Sequence, residues 1–169
     1  MLPESLVAAR KLLEEITPLQ TDCGLVCGGA CCQTHPGEET GMLLFPGEAE
    51  MYRGEEGFTL VDSPHGTILV CEGRCDRANR PLACRMFPLV MLLRPDGVKI
   101  ATDAAAQAVC PLARQGKSAL SQDFVASGGE SACAGQSTGG AFAAFDGHAG
   151  RIKGASGAVS REEGTCLRR

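Results

Sequence analysis

The stretch Asp22-Cys23-Gly24-Leu25-Val26-Cys27-Gly28-Gly29-Ala30-Cys31-Cys32 places four cysteines among small, glycine-rich spacers. The spacing Cys23-x3-Cys27-x3-Cys31 puts one thiol at every fourth residue, which on a helix would set all three on one face. Gly24, Gly28 and Gly29 disfavour helix. The stretch therefore reads as a wrapping loop, whose glycines take positive φ and bring the backbone close to a bound ion or cluster. Cys31 and Cys32 are adjacent, and along an extended chain adjacent side chains point to opposite sides. Either they serve different metals, or only one of them binds directly.

Working outward, a second block runs Cys71-Glu72-Gly73-Arg74-Cys75 and then Arg80-Pro81-Leu82-Ala83-Cys84-Arg85-Met86-Phe87-Pro88, and a further Cys110 precedes Pro111. The chain has 169 residues and ten cysteines. Its start, Met1-Leu2-Pro3-Glu4-Ser5, lacks a basic segment followed by an apolar run, so no export signal is expected. The reading that follows is cytoplasmic. Disulfides are rare in a reducing compartment, where clustered cysteines are more often metal ligands. The competing reading is a disulfide framework in an exported protein. Cys133 and Cys166 read as small apolar packing residues. Cys23, Cys27, Cys31, Cys32, Cys71, Cys75, Cys84 and Cys110 are the candidate ligands.

Two occupants compete for these thiols. Structural zinc takes four thiolates tetrahedrally, and its usual sequence sign is paired C-x2-C knuckles. An iron–sulfur cluster is also held by four cysteine thiolates, with spacings that differ between families. The C-x3-C spacing leans the reading towards an iron–sulfur cluster over zinc. The eight thiols suit two zincs, one cluster plus a zinc, or one cluster with spare thiols. His35 and His65 are alternative ligands, although a lone histidine in a Gly/Pro-rich loop is more often solvated.

Composition bounds the fold. The chain has no Trp, one Tyr and six Phe, so aromatic core material is scarce. Glycine, alanine and serine supply 23 of the 43 residues in 127–169. Such a segment cannot bury enough surface to offset its chain entropy. The expectation is a cysteine-cluster domain over 1–126 and a disordered tail over 127–169. The abrupt change of composition also suggests a frameshifted or degraded C-terminal sequence, which the other reading frames of the coding DNA would test. A net charge of −4, with no basic cluster except Arg168-Arg169, argues against a nucleic-acid surface. No run approaches the ~20 apolar residues of a membrane helix.

Local pattern gives an α+β fold class: a small, irregular, metal-stapled domain with short helices and two β-hairpins. Residues 3–16 read as an amphipathic helix with Pro3 in its first position and Leu6, Ala9, Leu13 and Ile16 on one face. Residues 41–45 suit a short strand, and Pro46 starts a short helix through Tyr52. Residues 58–61 and 67–70 suggest a hairpin across a turn-forming Asp62-Ser63-Pro64-His65-Gly66. Residues 80–85 suggest a tight helical turn. Residues 89–93 and 98–101 suggest a second hairpin across Arg94-Pro95-Asp96-Gly97. A helix over 104–109 then presents Cys110, and another runs from Pro111 to about Val125.

Residues 22 to about 115 resemble the YkgJ-type cysteine cluster family, described as zinc- or iron-chelating domains and marked by a CxxCxxCC motif. Cys23, Cys27, Cys31 and Cys32 sit on that motif with three-residue spacers. Cys71, Cys75, Arg80, Pro81, Cys84, Arg85, Phe87 and Pro88 match a cysteine pair followed by the family's RP-x-x-C-R-x-F-P signature. The Leu44-Phe45-Pro46-Gly47-Glu48 run and Val109-Cys110-Pro111-Leu112 resemble a subgroup. The resemblance implies metal chelation. Flagellin lysine methylases carry a similar cysteine domain, which suggests a tie to protein methylation, although fold kinship alone does not carry function.

Arg80 and Arg85 have two readings: charges that stabilise thiolates or an anionic cluster, or structural contacts to carboxylates and carbonyls. Three functional classes stay open. One is a metal-binding module whose centre is structural or electron-transferring. Another is an enzyme or accessory in protein lysine methylation, and the third a thiol redox or metal-storage protein. No Ser/His/Asp constellation, P-loop or GxGxxG fingerprint supports the enzyme, and three histidines leave few general bases. A protein partner is also left open.

Overall fold

Leu6, Ala9 and Leu13 recur at helical spacing, and all three are fully buried where the first helix meets the core. The computed structural model describes residues 2–33, 41–73, 75–94 and 97–136. Helix α1 spans Glu4–Leu12, with Glu4 at its positive end and Arg10 and Lys11 at its negative end, as the helix dipole favours. Pro3 lies one position earlier than expected, as the N-cap. The carbonyls of the segment that follows α1 are gathered by one side chain. Arg77 donates from Nη2 to Leu13 O and Ile16 O and from Nε to Glu14 O.

The main core forms between α1, a long last helix and a hairpin. Strands β4 (Leu89–Arg94) and β5 (Gly97–Thr102) pair antiparallel, with Leu89 opposite Thr102 and Met91 opposite Ile100. Leu89, Met91, Val98 and Ile100 face Leu6, Leu13, Leu82 and Phe124 in one cluster. Val90, Leu92 and Ala101 form a small second cluster. A fully buried Leu or Phe contributes about 1.5–3 kcal/mol by leaving water, so this layer is the principal apolar driving force. The turn expected at Pro95-Asp96 lies outside the described residues.

A three-stranded antiparallel sheet has the order β1 (Met42–Leu43), β3 (Gly66–Cys71), β2 (Phe58–Ser63). Strand β2 (Phe58–Ser63) and β3 (Gly66–Cys71) form the expected first hairpin, with Phe58 opposite Cys71 and Ser63 opposite Gly66. Strand β1 (Met42–Leu43) adds to the other edge of β3. Leu44, Tyr52 and Leu69 close a separate small cluster beside it. The segment expected as a helix from Pro46 to Tyr52 is a 3₁₀ turn, Glu48–Met51.

The chain is therefore α+β, with short helices and two small antiparallel sheets. Its C-terminal half departs from expectation in two ways. The single helix expected from Pro111 to Val125 is broken into α4 (Pro111–Gln115), a 3₁₀ turn (Lys117–Ala119) and α5 (Gln122–Gln136). In addition, the tail boundary expected at residue 126 falls inside α5. Ser131 and Ala132 are fully buried, and Ser131 Oγ donates to Ala9 O at 3.0 Å. Residues 127–136 are thus core-forming helix rather than disordered tail. The rest of the expected tail, including Cys166, lies outside the described residues.

Candidate metal centre

The first cysteine stretch is more helical than a wrapping loop. Asp22 Oδ1 accepts Gly24 N–H at 2.9 Å, and Asp22 O and Cys23 O accept the next two amides. This capping starts a one-turn helix, α2 (Gly24–Cys27), despite the glycine. Gly28 (φ 64°) and Gly29 (φ 72°) then both turn left-handed, which reverses the chain. A 3₁₀ turn follows at Ala30–Cys32. Because Cys31 and Cys32 lie in that turn and not on an extended chain, their sulfurs do not diverge. They face each other at 3.9 Å.

The second block is delivered by the first hairpin and by α3 (Leu82–Met86). Cys71 ends β3, so its register opposite Phe58 fixes its place. Cys84 sits in α3, and α3 is held by a carboxylate buried beneath it. Glu48 Oε1 accepts Leu82 N–H at 2.7 Å and Arg10 Nη1 at 2.6 Å, while Oε2 accepts Phe45 N–H at 3.2 Å. Burial pushes the Glu48 carboxyl up, against the pull of Leu82 N–H, Arg10 and Phe45 N–H. Arg85 reinforces the same corner from α3. It donates to Arg80 O, Arg10 O, Arg77 O and Ala78 O, all at 2.9–3.0 Å. Of the two readings for Arg85, the carbonyl contact is the one found.

Arg80 is placed differently. Its side chain borders a cavity of about 120 Å³ together with Cys31, Cys32, Cys71, Cys75 and Cys84. Among the described residues its buried Nε has no hydrogen-bond partner. Burial would lower the guanidinium, but Cys32, Cys75 and Cys84 outweigh it and hold it up. A second, smaller cavity of about 20 Å³ is bordered by Cys23, Cys27, Cys31 and Cys110. Cys31, Phe87 and Val109 border both cavities and form the wall between them.

Four of the thiols, Cys23, Cys31, Cys75 and Cys84, are pushed up by their surroundings. Burial pushes the Cys84 thiol well up, with Cys32, Cys71 and Cys75 adding to it. The hydrogen bond with Cys32 raises Cys31, ahead of burial. Burial raises Cys23 and Cys75 as well, and Arg80 pulls both down. All eight candidate cysteines are free thiols. Among the described residues no three Cys, His, Asp or Glu groups are gathered closely enough to grip one ion. The sulfurs border open volumes instead of meeting at a point.

The donor chemistry suits a soft metal or a thiolate-ligated cluster. The unpartnered Arg80 Nε suits a site that becomes anionic once thiolates form. Of the alternative ligands, His65 is exposed at the hairpin tip, at the opposite end of β3 from Cys71. His35 lies outside the described residues. Sequence reasoning missed Glu48, Arg10 and Arg77 as the frame under Cys84, and Phe87 and Val109 as cavity walls. The signals were the Leu44-Phe45-Pro46-Gly47-Glu48 run, whose acidic residue looked like a helix start, and the Phe87 and Val109 positions in the two cysteine motifs, which carried no hint of a wall. No protein-family model, no curated protein and no solved structure matches the chain.

Proposed function

We propose that the protein is a metal-binding module of the YkgJ cysteine-cluster type, working in the cytoplasm and holding an iron–sulfur cluster or zinc through its eight clustered thiols. One observation carries this reading: eight free cysteines from separate segments line two adjoining cavities, with the half-buried Arg80 bordering the one that five of them line. The larger cavity, about 120 Å³, exceeds what a lone ion between four sulfurs needs, which favours a multi-atom cluster there. When bound, the metal supplies either a structural staple or a one-electron redox centre. The protein's own part is to hold thiols, exclude water with Phe87 and Met42, and offset anionic charge with Arg80. Among the described residues no helix is long and apolar enough to cross a membrane.

The test is an absorption spectrum of protein purified without oxygen, alongside Cys84→Ser and His65→Ala. A brown protein whose colour is lost in Cys84→Ser and kept in His65→Ala fits a cluster at these thiols. A colourless zinc protein with the same dependence on Cys84 fits the zinc form. Metal content indifferent to Cys84 would overturn the assignment.

A further inference from the structure

We infer that, when metal draws the sulfurs together, the eight thiols form two separate four-thiolate centres, Cys32, Cys71, Cys75 and Cys84 in one and Cys23, Cys27, Cys31 and Cys110 in the other, divided by Phe87 and Val109. This rests on the metal-binding reading above and adds the partition to it. The cavities carry the argument. Cys71, Cys75, Cys84 and Cys32 border only the larger cavity, whereas Cys23, Cys27 and Cys110 border only the smaller one. Cys31 borders both. Charge proximity divides the other seven thiols along the same line. Cys84 lies within electrostatic reach of Cys32, Cys71 and Cys75, and Cys23 within reach of Cys27 and Cys110.

Coordination number then settles Cys31. Tetrahedral zinc and cubane clusters each take four cysteine sulfurs. The larger cavity has four thiols without Cys31, and the smaller has only three until Cys31 joins. Cys31 lies within electrostatic reach of Cys23 and equally of Cys32 and Cys84, so the thiol count, not charge proximity, assigns it. Adjacent Cys31 and Cys32 thus serve neighbouring centres, and their 3.9 Å sulfur separation makes that turn the joint between them. The ring of Phe87 and the side chain of Val109 supply no ligand atoms, so they separate the two thiol sets with apolar matter.

The test is a cobalt(II) titration of the full-length, metal-free, reduced protein without oxygen, following thiolate-to-cobalt charge-transfer absorption. Two centres give absorption that rises to about two equivalents of cobalt per chain. Saturation at one equivalent would overturn the partition while leaving metal binding intact, and no absorption would overturn both. Cys110→Ser and Cys84→Ser should each lose one equivalent and keep the other. Loss of both equivalents from a variant that retains its native circular dichroism would also overturn the partition. If either variant fails to fold, the wild-type count still decides.

Discussion

Glu48 is the residue on which the position of Cys84 depends. Its carboxyl is fully buried and ties α1, the strand β1 exit and α3 through Arg10, Phe45 and Leu82. Removing one member of a buried ion pair leaves the other charge uncompensated, at a cost of about 3–5 kcal/mol. Glu48→Gln should therefore lower stability by that amount in urea unfolding, and a change under 1 kcal/mol would show that the pair does not bear on the fold. Arg80 makes a different prediction. Its guanidinium acts on thiolates beyond its own contacts, and substitutions of that kind typically lower metal affinity about 10–100-fold. Arg80→Met should show such a loss in competition with a chelator, with little change in the unfolding of metal-free protein. Unchanged metal affinity would reduce Arg80 to a structural role.

At the level of elements, the hairpins and α1 were legible because their signals are local. Runs of β-prone residues bounded by Pro-His-Gly and Pro-Asp-Gly, and the Leu6, Ala9, Leu13 spacing, each fix structure within a few residues. Helix α5 was not legible, because Gly128, Gly129, Ser127 and Ser131 are poor helix formers without an apolar period. Their smallness is what seats the helix. A Cβ on Gly128 would meet Leu89 Cδ1 at 3.0 Å, and one on Gly129 would meet Ile100 Cδ1 at 3.7 Å. Tertiary packing thus overrides propensity there. Gly129→Ala, with ordinary contact distance, should raise stability by about 0.5–1 kcal/mol. Gly128→Ala should gain less or lose stability, because Leu89 must yield. Equal gains from both would contradict the close approach of α5 to β4.

For the whole molecule, the α+β class was readable from pattern, but the cavities that the candidate cysteines line were not. Which thiols share a space depends on Phe87 and Val109, brought together only by the packed chain. The assembled site has a proton consequence. Burial pushes the metal-free Cys23, Cys75 and Cys84 thiols up, yet metals bind thiolates. Loading should therefore release up to about four protons per centre, visible as buffer-dependent heat in calorimetry. The sign follows directly: affinity rises with pH, and acid expels the metal. Uptake without proton release would mean that the thiols are not the ligands.

The most direct measurement is the metal content per chain of protein purified without oxygen, by elemental analysis with acid-labile sulfide. Stoichiometric iron with sulfide, zinc, or both, is expected, lost together with thermal stability on treatment with acid and chelator. A well-folded chain that carries no metal, and whose stability is unchanged by that treatment, would contradict it.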